Sequence, residues 1–135
     1  KGHLYRWDVA TGRLLQRLDG HTGRITGLVV SPETDRIYSA SLDKTITPWE
    51  LASGRELADG ILKHPDGVVG LVLAPDGVTL VSSANDRVVR VWNLREPAAP
   101  RAMPTFPEVV RGLSLSFDGA RLLTVLSEAR EVRQW

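Results

Sequence analysis

The stretch SASLDKTITPW at residues 39–49 decides the fold, because it returns as SSANDRVVRVW at residues 82–92. In both copies a serine precedes an aspartate by 4 positions, and the aspartate precedes a tryptophan by 6. The tryptophans extend this period along the chain, since Trp7, Trp49, Trp92 and Trp135 are separated by 42, 43 and 43 residues. A fixed step of roughly 20 to 50 residues is typical of proteins built from stacked copies of one structural unit.

Each period contains short apolar runs separated by turn residues. Acid-containing turns recur at 31–35, 74–77 and 116–119, and clusters of Gly, Pro and Asp end strands. Runs this short, rich in Val, Ile and Leu, favour strands over helices. The predicted strands are 25–30, 36–40 and 45–49; 68–73, 79–83 and 88–92; and 110–115, 121–126 and 131–135, with weaker fourth runs at 14–18 and 55–57. Four strands in about 43 residues is the content of one β-propeller blade.

These features together resemble the WD-repeat β-propeller family over essentially the whole chain. The matching pairs are Gly20-His21 before a blade, and Trp7-Asp8, Trp49-Glu50 and Trp92-Asn93 at the end of strand three. The resemblance implies an all-β fold of four-stranded antiparallel blades in a partial ring. We divide the chain into strands three and four of a first blade (1–19), two complete blades (20–62 and 63–105) and three strands of a further blade (106–135).

Three residues of the first complete blade, His21, Ser39 and Asp43, are the chemical types of a hydrolytic Ser-His-Asp site. The same types recur in the next blade as His64, Ser82 and Asp86, and the histidine precedes the tryptophan by 28 residues in both copies. An active site is normally built once. The repetition therefore favours a structural role over a catalytic one.

In the family that the chain resembles, these positions form a hydrogen-bond network within each blade. The network includes Trp49 and Trp92, whose indole N–H groups need acceptors when they are buried. In the third unit Phe106, Thr124 and Glu128 stand at the corresponding positions, which predicts a blade held more by apolar packing. Pro48 cannot donate to a strand ladder, so a bulge is expected near it.

The resemblance also implies where partners bind, at the start of strand one and just before the turn aspartate. The residues at those positions are Arg24, Thr26, Leu42, Val69, Asn85, Arg111 and Ser127. The predicted function is a non-catalytic scaffold that binds a protein or peptide. The alternatives are the partner-sensing arm of a multidomain enzyme and, with less support, a propeller hydrolase.

Composition narrows the remaining function classes. The chain has 135 residues, a formal net charge of +1 and no cysteine, so disulfides and cysteine-ligated metals are excluded. It contains no phosphate-binding loop, no dinucleotide fingerprint and no apolar run of about 18 residues. We expect no cofactor, no metal, no nucleic acid and no membrane contact, and a cytoplasmic location. Propellers close with roughly 4 to 8 blades, so the remaining blades are expected from the same longer chain or from other copies.

Overall fold

The computed structural model describes residues 2–127 and 132–135, and the side chains of residues 2–127 and 135. In these residues, strands form four antiparallel sheets in chain order. Blade I consists of β1 (His3–Trp7) and β2 (Leu14–Asp19), and blade II consists of β3 (Ile25–Ser31), β4 (Arg36–Ser41), β5 (Thr45–Glu50) and β6 (Leu62–Lys63). Blade III consists of β7 (Val68–Leu73), β8 (Thr79–Ala84), β9 (Val89–Asn93) and β10 (Arg101–Ala102). Blade IV consists of β11 (Val110–Leu115), β12 (Leu122–Leu126) and β13 (Val132–Gln134). The predicted all-β fold of four-stranded antiparallel blades is confirmed.

The central strands of blades II and III are buried on both faces. In β8 every residue from Leu80 to Ala84 is buried, and so are four of the six residues in β4 and in β5. A strand covered on both sides reads as a nearly continuous apolar run rather than an alternating one. This explains why these strands were recognisable in the sequence from apolar runs between turns.

The fourth strand of blade II differs from the prediction. The run at 55–57 contributes only one bridge, from Glu56 to Trp49, and the strand proper is Leu62–Lys63. Between them the chain forms a short 3-10 helix, Ala58–Gly60, opposite Pro48. Pro48 accepts a hydrogen bond from the Leu57 amide at 2.9 Å but has no N–H to return. The register of β4 with β5 is unbroken at Pro48, so the bulge expected there is not found, and the irregularity lies instead in the segment that leads to β6.

Adjacent blades pack through their first strands, β3 against β7 and β7 against β11. The core between blades II and III includes Tyr38, Ile46 and Leu80, and the core between III and IV includes Val89 and Val110. Burying one large apolar side chain contributes roughly 1.5–3 kcal/mol, so these layers supply most of the stability.

Two hydrogen bonds also cross from blade II to blade III. The Thr26 hydroxyl donates to the Val68 carbonyl at 2.8 Å, and the Ser31 hydroxyl donates to the Gly77 carbonyl at 2.5 Å. Because one bond lies at each end of β3, they fix the position of this strand against the next blade.

A glycine near the start of strand one recurs in each of blades II to IV. Gly27, Gly70 and Gly112 follow register shifts in β3, β7 and β11. A Cβ atom on Gly27 would lie 2.9 Å from the Cβ of Leu71 in the next blade, closer than two carbons approach without strain. Glycine here permits close approach between blades.

The two ends of the array expose apolar side chains. On blade I Tyr5 is 51% exposed and Trp7 is 55% exposed, although Trp49, at the same position in blade II, is only 2% exposed. At the other end Val125 and Trp135 are 42% and 50% exposed. The difference between the tryptophans comes from the number of sheets that cover them.

Candidate functional site

The residue trio of blade II forms a chain of buried hydrogen bonds that ends at a tryptophan. The Trp49 indole N–H donates to Ser39 Oγ at 2.8 Å, and Ser39 Oγ lies 2.7 Å from His21 Nε2. His21 Nδ1 lies 2.7 Å from Asp43 Oδ2. A carboxylate can only accept, so Nδ1 carries a proton and donates to Asp43, while Nε2 contacts Ser39 through its hydroxyl and its carbonyl oxygen. The chain therefore runs from Trp49 through Ser39 and His21 to Asp43 with every donor matched to an acceptor.

Asp43 is held by more than the histidine. Its carboxylate also accepts from the Thr22 amide at 3.0 Å, the Thr45 amide at 3.1 Å and the Thr45 hydroxyl at 2.6 Å. Partial burial by itself raises the pKa of Asp43, but the hydrogen bonds from Thr45 and His21 outweigh it and lower the pKa to about 2. The carboxylate is thus ionised at neutral pH and ties the β4–β5 turn to the histidine.

This arrangement does not suit nucleophilic catalysis. Ser39 is 0% exposed, and its oxygen already accepts from Trp49 and contacts His21. A nucleophile must meet its substrate with a general base in reach. The geometry fits the structural reading of the trio and gives the hydrolase reading no support.

Blade III departs from the network that its sequence predicts. His64 Nε2 lies 2.9 Å from Ser82 Oγ, which accepts from the Trp92 indole at 2.9 Å. Asp86 instead forms a two-point ion pair with Arg90, at 2.6 and 3.2 Å. Among the described residues, His64 Nδ1 has no hydrogen-bond partner. The expectation that Asp86 closes this network on His64 is wrong.

The physical reason lies in two substitutions on strand three. Thr45 and Thr47 of blade II are replaced by Val88 and Arg90. The valine cannot donate to the aspartate, and the guanidinium binds carboxylates through two parallel bonds. Burial lowers the pKa of His64 from 6.5 to about 4, and the positive charge of Arg90 adds to the effect. His64 is therefore a neutral, buried histidine with one unsatisfied nitrogen.

In blade IV an aromatic contact stands where the histidine network stands in blade II. Phe106 packs edge-on against Trp135, with ring centroids 5.3 Å apart. The Trp135 indole N–H donates to Thr124 Oγ1 at 2.8 Å. Thr124 thus accepts a hydrogen bond from the tryptophan of blade IV, as Ser39 does from Trp49 in blade II. Glu128, the residue predicted at the aspartate position, lies outside the described residues.

Five of the seven predicted partner-binding residues line one depression. It has a volume of about 300 Å³ and is formed by residues of blades II, III and IV: Arg24, Ile25, Thr26, Leu42, Val69 and Arg111. We call it the inner-strand depression. Ile25 was missed from the sequence, although it stands directly between two predicted residues and begins β3.

The turn before Asp43 brings Leu42 into this depression. The Leu42 amide donates to the Arg24 carbonyl at 2.9 Å, which joins the β4–β5 turn to the start of strand one. The Asn85 and Ser127 amides make the equivalent bonds to Gly67 and Val109, also at 2.9 Å. All three positions are thus built alike, but only Leu42 lines the depression.

Asn85 lies at the edge of the depression rather than inside it. A Cβ atom on Gly67 would be 3.2 Å from both the Asn85 amide nitrogen and a methyl group of Leu42. Asn85 and Leu42 therefore flank the same glycine across two blades. Gly67 was also missed; it holds the position of Arg24 one blade further along the sequence.

The depression combines apolar surface with free positive charge. Leu42 is 41% exposed, whereas the Thr26 hydroxyl is already used in its bond to Val68. Among the described residues, neither Arg24 nor Arg111 takes part in an ion pair. Within the described residues, both guanidiniums therefore keep their charge for a ligand.

Two larger clefts of about 650 and 780 Å³ lie between other segments of blades II and III. None of the predicted partner-binding residues lines either one. The larger carries three arginines and three acids: Arg36, Arg55, Arg95, Glu33, Glu56 and Asp59. Balanced charges give this cleft little net attraction for a charged partner.

Metal sites and membrane-spanning helices are two further features to consider in the described part of the chain. No group of three or more metal-ligating side chains is found there. Nor does that part of the chain hold a helix with the length and apolarity of a membrane span.

The sheets and their tryptophan-anchored networks define a repeat protein made of propeller blades. The family model of the WD domain, G-beta repeat, matches residues 12–47 and 52–93. The chain belongs to the WD40 repeat family. WD40 repeat proteins act in general as protein-interaction scaffolds.

Similar proteins from several organisms are much longer than the region they share with this chain. The periodic tryptophan protein 2 homolog of Mus musculus is 42% identical over 48 residues, which are 36% of this chain and 5% of that protein. U3 small nucleolar RNA-associated protein 21 of Saccharomyces cerevisiae is 47% identical over 55 residues, covering 41% of this chain and 6% of that protein. Protein groucho of Drosophila melanogaster is 32% identical over 56 residues, which are 42% of this chain and 8% of that protein. The chain spans a small part of each relative.

The fold is similar to that of a solved designed protein. The crystal structure of the computationally designed Ika4 protein has a TM-score of 0.81 and 23% sequence identity, and the match covers 99% of this chain and 79% of that chain. At this identity the likeness shows the fold alone. It identifies the four sheets as a partial propeller-like fold with no closed barrel.

Proposed function

We propose that this chain is a non-catalytic docking module that binds a segment of a partner protein in the inner-strand depression. The observation that carries the proposal is that Arg24, Thr26, Leu42, Val69 and Arg111 line one depression. These residues are far apart in the sequence and come from three blades. A docking site at this place agrees with the general role of the family.

The surface has the composition of a docking site. Arginine is enriched at protein interfaces and is frequent among the residues that carry binding energy. Leu42 is an apolar residue in a tight turn with 41% of its surface exposed, so covering it by a partner is favourable. Arg24 and Arg111 add positive charge and directional hydrogen-bond donors for the partner.

The rigidity of the frame supports the same role. Leu42 is fixed by its backbone bond to Arg24, and the turn behind it is tied to His21 through Asp43. A site whose side chains are held in place loses less conformational entropy on binding. The buried network of blade II thus serves the docking function by holding the turn that carries Leu42.

The test replaces two depression residues together, Arg24→Glu and Leu42→Ser, in the full chain that carries them. Proteins recovered with it from an extract of the source organism are quantified against wild type by mass spectrometry. The matched control is Arg121→Glu with Phe117→Ser, which changes an exposed arginine and an exposed aromatic residue outside the depression.

We expect partner recovery to fall at least about tenfold in the depression variant, since each lost contact is worth 1 kcal/mol or more. The control variant should recover partners as wild type does, with both variants melting at the wild-type temperature. Equal recovery from both variants contradicts the proposal and moves the docking site to another surface.

A further inference from the structure

We propose that the inner-strand depression binds a short acidic segment of the partner, in which a carboxylate side chain lies next to an aliphatic one. This inference rests on the proposed docking function and specifies its ligand. The depression carries positive charge. Arg24 and Arg111 lie on the lining of the same depression, and among the described residues neither is neutralised by an ion pair. Guanidinium groups bind carboxylates with charge-assisted hydrogen bonds.

The acid next to Leu42 in the sequence is already bonded elsewhere. Asp43 follows Leu42 directly, but its two oxygens accept from His21, Thr22 and Thr45. Its carboxylate is thus committed to the interior of blade II, and the six residues that line the depression include two arginines and no acid. That charge attracts an acidic ligand and increases its rate of association.

Part of the lining is apolar. Ile25, Leu42 and Val69 are aliphatic, and the Thr26 hydroxyl is used in its bond to the Val68 carbonyl. The ligand therefore meets aliphatic groups as well as the two arginines. An aliphatic side chain beside the carboxylate would be desolvated there together with Leu42.

The depression is small. A volume of about 300 Å³ corresponds to about ten waters of the liquid. It lies at the lower end of ligand pockets, which begin at about 300 Å³. The space suits two or three side chains of an extended segment and excludes a folded element.

The lining favours protein over nucleic acid as the partner. Proteins that bind single strands combine positive charge with aromatic side chains on which the bases stack. None of the six residues that line this depression is aromatic. Two arginines beside aliphatic groups instead match an acidic and aliphatic peptide.

The experiment titrates the full chain with three fluorescein-labelled peptides and measures fluorescence anisotropy. The peptides share a Gly-Ser background and differ at the centre, which is Glu-Leu, Gln-Leu or Glu-Ser. A labelled single-stranded DNA of twelve nucleotides is the fourth probe. The chain variants are Arg24→Gln, Arg111→Gln and Leu42→Ser, with Arg121→Gln as the matched control outside the depression.

We expect the Glu-Leu peptide to bind about tenfold more tightly than the other two, because a charged hydrogen bond or a buried aliphatic group is worth that factor. Arg24→Gln and Arg111→Gln should each remove most of the preference for Glu over Gln, and Leu42→Ser should remove the preference for Leu over Ser. Arg121→Gln should change neither. Raising the salt concentration should lower the affinity for the Glu-Leu peptide more than the affinity for the Gln-Leu peptide.

Equal affinities for the three peptides, including no binding of any, overturn the inference. So does binding of the DNA that depends on Arg24 and Arg111 without a preference for the Glu-Leu peptide. If partner recovery still fails in the Arg24→Glu, Leu42→Ser variant, the docking function stands and only the acidic ligand is rejected. If recovery is also unchanged, both are rejected.

Discussion

A change of two side chains on strand three separates a closed hydrogen-bond network from an open one. In blade II, Thr45 directs the carboxylate of Asp43 towards His21. In blade III, Arg90 holds the carboxylate of Asp86, and His64 Nδ1 stays without a partner. Because an unsatisfied buried donor or acceptor costs about 1–3 kcal/mol, two blades of nearly the same motif differ in what each residue contributes.

Asp43→Ala should lower the free energy of unfolding by about 1–3 kcal/mol, because it leaves the buried His21 N–H without an acceptor. Ser39→Ala should cost less. The matched change one blade further, Asp86→Ala, should destabilise by another route, since it leaves the part-buried Arg90 without its ion-pair partner while His64 loses no hydrogen bond. Denaturant unfolding of the three variants measures these losses. An unchanged midpoint for Asp43→Ala would reject the structural role of this network.

His64 should make the fold sensitive to mild acid. Its pKa is lowered from 6.5 to about 4 in the folded state, so the unfolded chain binds a proton in this interval and the folded chain does not. Stability is therefore full above pH 6.5 and falls as the pH falls to 4. The loss is at most about 3 kcal/mol. The pKa of Asp43 is lowered from 3.8 to about 2, so its contribution to stability is lost only as the pH falls below 3.8.

The control for this prediction is His64→Phe, which copies Phe106 at the same position of blade IV. The melting temperature is measured from pH 7 to pH 4 for both proteins. Wild type should lose stability more steeply than the variant over this range. Parallel curves would show that His64 does not carry the acid sensitivity.

At the scale of elements, the sequence predicts what is repeated and misses what is particular to one blade. The apolar runs and the step between tryptophans indicate the strands, because a strand covered on both faces keeps the same composition in every unit. The strand Leu62–Lys63 was missed because the detour at Ala58–Gly60 occurs once. The Asp86–Arg90 pair was missed because it depends on side-chain geometry, although Arg90 at the position of Thr47 was visible.

Much of the candidate site was also accessible to sequence reasoning, but only through the resemblance. The positions of Arg24, Leu42 and Arg111 follow from a repeat frame, whereas their common depression follows from how blades II to IV are packed. Ile25 carried no signal of its own because an isoleucine that starts a strand is ordinarily a core residue. Packing between units is not encoded in the spacing within a unit.

The glycine near the start of β3 sets how closely blades II and III approach. A methyl group on Gly27 would lie 2.9 Å from the Leu71 Cβ atom, so Gly27→Ala should push β3 and β7 apart and cost about 1–3 kcal/mol. Gly112→Ala is the matched control, since the three heavy atoms nearest to a Cβ there belong to Val125 of its own blade, the closest at 3.1 Å. Chemical unfolding should show the larger loss for Gly27→Ala; equal losses would contradict a role in blade spacing.

At the scale of the whole molecule, the array has apolar side chains at both ends. Tyr5 and Trp7 at one end and Val125 and Trp135 at the other are each more than 40% exposed. Repeat arrays need capping units or further units because each sheet is stabilised by its neighbours. Exposed apolar patches of this kind mark surfaces that associate.

Residues 1–135 expressed alone should therefore not behave as a stable monomer. We expect oligomers, aggregates or a low melting temperature, because the two end blades each lack a covering sheet. Light scattering at several protein concentrations measures the association. A monomer with a cooperative melt that is independent of concentration would show that the exposed ends cost less than proposed.

The central claim is that a partner protein docks in the inner-strand depression. The most direct measurement places a photo-crosslinking benzoylphenylalanine at Leu42 of the full chain and, as control, at Phe117, which is 97% exposed outside the depression. After irradiation in an extract of the source organism, mass spectrometry identifies the crosslinked peptides. The account predicts that one partner segment, rich in acidic and aliphatic residues, is captured from position 42 and not from position 117. Capture of the same partner from position 117 alone, or equally from both, would contradict it.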